Sequence, residues 1–227
     1  MKLVQRPSPN HDARDGVAVD MLVLHYTGMT SGEAALARLC DPAAKVSAHY
    51  LIDEDGTVHA LVPESQRAWH AGVSFWAGAR DINSRSIGIE LVNPGHEFGY
   101  RPFPEAQIAA LIALCGEILK RHAVTASRVL GHSDVAPQRK EDPGELFPWQ
   151  RLAGAGIGLW PARAGDPGEG AVAGLLARYG YDPGASPEKA ITAFQRHFHP
   201  SRVDGIADDE TRKVLAGLVA LYDAVDH

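Results

Sequence analysis

The sequence has no surplus of positive charge: 22 lysines and arginines stand against 28 aspartates and glutamates, a formal net charge of -6. Phosphate binding needs a basic face, so this balance argues against a nucleic-acid partner. Cysteine is scarce too. Only Cys40 and Cys115 occur, each within an apolar helical pattern, and there is no C-x-x-C. They read as two buried thiols and not as a disulfide framework. No apolar run is long enough to cross a bilayer, so no membrane span is expected. The opening "MKLVQRPSPNHDARDG" has neither an apolar signal-type core nor a cysteine for lipid attachment. The expectation is a soluble cytoplasmic protein, or a periplasmic one if a signal or lipoprotein segment has been removed. H-E-x-x-H, internal repeats and low-complexity tracts are missing as well.

What remains is an ordinary globular composition, 45% hydrophobic and 22% charged. The 227 residues suit one large domain, or a medium one joined to a small one. "VDMLVLHYT" (19–27) is β-branched and leucine-rich, the pattern of a buried strand. Thr30 and Glu33 form a T-x-x-E box opening a helix through "AALARLC". "AHYLID" and "TVHALV" flank "EDG" as a hairpin, and "SIGIELVN" (86–93) is a further strand. A helix over 104–122 has Pro104 in its first turn and Ile108, Leu111, Ile112, Cys115, Ile118 and Leu119 on one face. "RVLGH" adds a short strand. The order β-α-β-β-β-α-β predicts an α/β (α+β) fold, a mixed central β-sheet flanked by helices. The Gly- and Pro-rich "LWPARAGDPGEG" interrupts this order as a linker. Beyond it come three helices: "AVAGLLARYG", one capped by Ser186-Pro187-Glu188, and one started by Asp208. The predicted organisation is a domain over 1–161, a linker over 162–170, and a small all-α domain over 171–227. The last is marginal alone and is expected to lean on the first.

Polar residues follow apolar strands at three places. His25 ends "MLVLH", Glu90 lies in "IGIELV", and His132 follows "RVLG". Strand ends hold side chains on a rigid rim, where a site can be built with precision. The loop "GHSDVAPQRKEDPG" (131–144) then brings Lys140 and Asp142. Two imidazoles and a carboxylate suit Zn²⁺, and three protein ligands leave a fourth position for water. Glu90 can take that water's proton, and Lys140 can steady the oxyanion formed on a carbonyl. Spacing alone does not decide this. Eleven histidines make chance pairs common, and a hydrogen-bonded core or surface histidine is the competing reading. His197-x-His199 has no acid placed beside it and reads as packing, and Asp134, two residues from His132, is a rival to Asp142 as ligand.

The motifs "LVLHYTG", "VSAHYLID", "AWHAG", "SIGIELVN" and "GHSDVAPQRKEDPGELFPW" stand in the order seen in zinc-dependent N-acetylmuramoyl-L-alanine amidases, which the chain resembles over residues 1 to 161. That family is related to phage lysozyme-type amidases and peptidoglycan recognition proteins. "LLARYGYD…AITAFQRHFHPSRVDGIADDET" is similar to the peptidoglycan-binding three-helix module. The resemblance implies Zn²⁺ on His25, His132 and Asp142, Glu90 as general base, and Lys140 stabilising the transition state. Trp69 and His70 resemble the family's groove wall; further candidate substrate contacts are His49, against a structural hydrogen bond, Arg80 and Arg85 as partners of a stem-peptide carboxylate, against solvated surface charge, and Asn93. The implied reaction cleaves the amide between N-acetylmuramic (or anhydro-N-acetylmuramic) acid and L-alanine in muropeptides, during wall recycling or turnover. A monomer is expected. Two other readings stay open: a peptidoglycan-binding protein without catalysis, and a zinc peptidase acting on the stem peptide.

Overall fold

The computed structural model describes residues 2–166, 168 and 172–225. Pro167, Glu169 and Gly170 of the expected linker, and Ala171 after it, lie outside the described residues. The strands are β1 (Lys2–Gln5), β2 (His11–Ala13), β3 (Met21–Tyr26), β4 (Tyr50–Ile52), β5 (Thr57–Ala60), β6 (Gln66–Ala68), β7 (Ser86–Leu91) and β8 (Val129–Gly131). Six of them form one sheet in the order β1-β5-β4-β7-β3-β8, and β2 pairs with β6 apart from it. Neighbours in the large sheet run parallel except the β4–β5 hairpin. The mixed sheet is the predicted one with β1 added at its edge, and the separate β2–β6 pair is a further addition. β1 is a largely exposed edge strand, so "KLVQ" carries no apolar alternation to betray it.

The longer helices are α1 (Gly32–Cys40), α2 (Glu105–Arg121), α3 (Val172–Tyr179), α4 (Pro187–Phe198) and α5 (Asp209–Val225). The cap of α1 is Ser31 and not Thr30: Ser31 is extended, and its hydroxyl accepts from the Ala34 N–H at 3.2 Å. Pro104 sits one residue before α2, at its N-cap. The thiols also differ from expectation. Cys115 is buried, but Cys40 ends α1 partly exposed.

Strand alternation divides the core between the two faces of the sheet. Leu22 and Leu24 of β3, Ile87, Ile89 and Leu91 of β7, and Val129 of β8 meet Ile108, Leu111, Cys115 and Ile118 of α2. Each such side chain contributes roughly 1.5–3 kcal/mol on burial. Met21, Val23 and Leu130 face the other way. They join Trp76, Tyr179, Tyr181, Phe194, Phe198, Leu215 and Leu218 in one cluster. The C-terminal helices thus share a core with the sheet. Polar pins reinforce the contact: buried Asp134 accepts from the Tyr181 hydroxyl at 2.6 Å, His197 Nδ1 at 2.7 Å and the Gly131 N–H at 2.7 Å. His197 stacks on Trp149 and on Phe198, a packing role in place of a metal pair with His199.

Glu64 ties the far end of α2 to the β4–β6 region. It accepts from Tyr50, Arg121 and His122. Burial opposes its ionisation, but these donors outweigh burial and hold its pKa at about 2, below the ordinary 4.5. A depressed carboxylate stabilises the fold above its unfolded pKa, and that contribution is lost as pH falls through the folded value. Allowing for solvent screening, Glu64→Gln should cost about 1–2 kcal/mol at pH 7 and almost nothing near pH 2. Urea unfolding of both proteins at the two pH values measures this, and equal losses at both would contradict it.

Candidate active site

β3 and β7 run in register, with His25 beside Glu90 and Val23 beside Gly88. Ser86, Gly88 and Glu90 therefore share a face with His25, the face away from α2. β8 lies on the other side of β3 and ends at Gly131. The short turn His132–Val135 begins there, so His132 emerges next to His25. The following loop returns over the strand ends, and the Ser133 N–H donates to the Asp142 carbonyl at 2.9 Å. This closes the loop and brings the Asp142 carboxylate back onto both histidines.

Three atoms converge. His25 Nδ1 lies 3.0 Å from His132 Nδ1 and 2.9 Å from Asp142 Oδ2, and His132 Nδ1 lies 3.1 Å from the same oxygen. All three residues are buried, and no other group of three or more metal-type ligands is found among the described residues. His132 Nε2 lies 3.0 Å from the Ala71 carbonyl, an acceptor, and 3.4 Å from the Arg139 guanidinium, a donor. His25 Nε2 lies 3.1 Å from His70 Nδ1. Burial, with His132 beside it, lowers the His25 pKa to about 4, so the ring is neutral at pH 7. Burial works against charge on Asp142, but the two imidazoles outweigh it and hold the carboxyl well below its usual range. Two imidazole nitrogens and one carboxylate oxygen thus converge within 2.9–3.1 Å of one another, a donor set that fits a cation.

Glu90 stands one strand away. Its Oε2 is buried and finds no hydrogen-bond partner among the described residues. Burial, then the Asp142 charge, raises its pKa well above the ordinary carboxylate value, while Lys140 acts in the opposite sense. Such a group holds a proton more readily than an exposed carboxyl, as suits one that takes and returns a proton. These residues line a groove of about 580 Å³. Trp69, His96 and Arg139 also line it, as do Lys189, Thr192 and Arg196 from α4.

Residues 15–145 match the family of N-acetylmuramoyl-L-alanine amidases, and residues 171–215 match a peptidoglycan-binding domain family. The chain belongs to the N-acetylmuramoyl-L-alanine amidases. It is 41% identical to N-acetylmuramoyl-L-alanine amidase AmiD of Escherichia coli (strain K12), over 90% of this chain and 83% of that protein. It is 36% identical to 1,6-anhydro-N-acetylmuramyl-L-alanine amidase AmpD of the same strain, over 64% of this chain and 87% of that one. The crystal structure of the E. coli AmiD complex with anhydro-N-acetylmuramic acid-L-Ala-D-gamma-Glu-L-Lys superposes with a TM-score of 0.80 at 39% identity, covering 95% of this chain and 92% of that one. AmpDh3 of Pseudomonas aeruginosa, in complex with anhydromuramic pentapeptide, superposes with a TM-score of 0.81 at 34% identity, covering 95% of each chain. The protein is an enzyme of this class, hydrolysing the amide between N-acetylmuramic acid and L-alanine.

Of the candidate substrate contacts, the amidase groove holds Trp69 and His70. His49 is fully buried behind His70, and its Nδ1 accepts from the Gly88 N–H at 2.9 Å. Asn93 is buried too; its amide donates to the Arg101 carbonyl at 2.8 Å and its oxygen accepts from the Gly95 N–H at 3.1 Å. Both brace the backbone. Arg85 pairs with Asp20 at the opposite end of β3 and β7 from His25 and Glu90, and Arg80 lies over the Phe75 ring at 5.2 Å. Neither arginine lines the groove, so neither is placed to meet a stem-peptide carboxylate. Lys189, Thr192 and Arg196 are the residues that sequence reasoning missed. Their i, i+3, i+7 spacing marked one face of α4, but a solvated face has the same pattern.

Proposed function

We propose that this amidase is zinc-dependent, with the metal held by His25 Nδ1, His132 Nδ1 and Asp142 Oδ2. The convergence of two imidazole nitrogens and a carboxylate oxygen in a buried corner carries the reading. When bound, zinc supplies Lewis acidity and makes hydroxide available near neutral pH. Glu90 Oε2 accepts the proton of the attacking water as the new C–O bond forms at the muramoyl carbonyl. Lys140 lies beside the negative charge that develops on the carbonyl oxygen. The C–N bond to L-alanine then breaks, and Glu90 returns its proton to the departing amine. Trp69 and the α4 residues wall the groove on either side of the scissile amide.

The proposed substrates are soluble muropeptides with an anhydro-muramyl end. Support comes from the AmpD relative, whose name specifies that sugar, and from the two superposed complexes with anhydromuramyl peptides. The C-terminal helices are proposed as a peptidoglycan-binding-like unit that completes the groove, and the setting as wall recycling in the cytoplasm by a monomer. Mass spectrometry of an anhydro-muropeptide digest tests the reaction. The expected products are the free anhydro sugar and a peptide beginning with L-alanine; cleavage within the stem would favour a peptidase instead. Fractionation of cells tests the setting, and a wholly periplasmic signal would move the enzyme to wall turnover.

Lys140→Ala tests the oxyanion role. Turnover should fall by about 10²–10³-fold, the scale seen on removing one oxyanion donor. Metal content should stay unchanged, because the ammonium is no ligand. Steady-state kinetics beside metal analysis decides, and a variant with wild-type kcat would remove Lys140 from the mechanism.

A further inference from the structure

The two histidines of the converging site are oriented by one short segment. His70 meets His25 through its side chain, and Ala71 meets His132 through its carbonyl. The segment is itself clamped: the N–H groups of His70 and Ala71 both donate to Asn83 Oδ1, at 3.1 and 2.7 Å. His70 is buried, and its Nε2 lies 3.1 Å from Ser86 Oγ. The Ser86 hydroxyl donates to the Ile82 carbonyl at 2.6 Å. That proton is committed, so Ser86 Oγ can only accept from His70 Nε2–H. His70 Nδ1 then carries a lone pair and can only accept from His25 Nε2–H. The chain of bonds leaves the His25 Nδ1 lone pair aimed at His132 and Asp142.

The strand beneath is cut to fit this ring. A Cβ on Gly88 would lie 2.4 Å from His70 Cγ and 2.6 Å from Nδ1, well inside contact distance. Ser86 anchors the ring, Gly88 makes room for it, and Glu90 supplies the acid, all on one face of β7. The opposing force is Asp142, whose oxygen lies 2.9 Å from His25 Nδ1 and would attract a proton there. Moving the proton to Nδ1 forces His70 to become the donor at Nδ1. His70 Nε2 then needs a proton from Ser86, which has given its own to Ile82. The buried Ser86–Ile82 contact, 2.6 Å long, would be left as oxygen against oxygen, which is unfavourable away from water.

We propose that His70 is a positioning residue that fixes the tautomer and ring orientation of His25, through Ser86, so that Nδ1 is presented to a metal. The metal half of this statement rests on the zinc reading above; the tautomer half does not. The sequence expectation of a substrate-side role for His70 is thereby replaced with one inside the site's scaffold.

The test uses the full-length protein. Metal-free protein with ¹⁵N-labelled histidine is read by long-range ¹H–¹⁵N NMR, with the His25 signals assigned by their loss in His25→Gln. Wild type should show His25 as the Nε2–H tautomer. His70→Phe removes the acceptor, so His25 should shift toward Nδ1–H, and zinc affinity measured against a competing chelator should fall about 10–100-fold. His70→Asn sets an amide oxygen near the Nδ1 position and should restore the tautomer and most of the affinity. Ser86→Ala should loosen the tautomer in the same direction as His70→Phe, and it serves if the phenylalanine variant does not fold. A folded His70→Phe, or Ser86→Ala, that kept the wild-type tautomer would overturn the proposal. Failure of every variant and of wild type to bind zinc, with the tautomer shift still present, would overturn the zinc reading and leave the role of His70 standing.

Discussion

Glu90→Gln should lower turnover by about 10²–10⁴-fold while leaving metal content and muropeptide binding unchanged, the scale of a lost general acid–base group. The residue sits on β7 directly beside His25, yet it is outside the group of three converging ligand atoms. Its buried Oε2 finds no hydrogen-bond partner among the described residues, which is costly unless water or substrate completes it. Its pKa is raised first by burial and then by Asp142, so it holds a proton more readily than a surface carboxyl. Glutamine keeps the shape and loses only the capacity to take a proton. Metal content, binding and turnover should be measured on the same preparation. Loss of metal together with activity would make Glu90 a ligand. Near-normal turnover would mean that another group activates the water.

Much of this site was legible before any coordinates, for reasons particular to each residue. His25 and His132 close short apolar runs, and such runs become strands whose ends share a rim once they pair in parallel. Asp142 was legible through the family resemblance alone, because its loop also offers Asp134 and is largely buried, at 131–137 and 142–144, with no apolar run to announce it. Three features were not. His70 lies in a segment with no periodicity, and its role depends on a ring contact with Gly88, which no linear pattern carries. Arg85 looked available as a free cation beside a motif, but pairing of β3 and β7 sets it against Asp20. The choice of Ser31 over Thr30 as cap was set by backbone angles, since either hydroxyl suits the sequence rule. The core followed the same division. The apolar stripe of α2 was plain in the sequence, whereas the second face of the sheet is covered by helices from far along the chain.

Removing the metal should have the largest effect of all, on turnover and on stability together. His132→Ala deletes one of three converging ligand atoms and the ring contact to the Ala71 carbonyl, which keeps Arg139 as a donor. Metal assistance is worth several kcal/mol in the transition state, so turnover should fall about 10³–10⁵-fold. Wild type should carry about one zinc per chain, the ratio for a mononuclear site with three protein ligands. Without a cation, His25 Nδ1, His132 Nδ1 and Asp142 Oδ2 remain close together and buried, held only by the contacts among themselves. A metal bound only to the folded state therefore stabilises it. At free zinc 1,000 times the dissociation constant the gain is about 4.1 kcal/mol. For a chain of this size each kcal/mol moves Tm by about 2–4 °C, so chelation should lower Tm by about 8–16 °C. His132→Ala should show neither the zinc stoichiometry nor the chelator-dependent shift. Thermal unfolding with and without chelator, beside metal analysis, reads both. Full zinc occupancy in His132→Ala, with the wild-type shift intact, would place the metal on other residues and remove the basis for the mechanism.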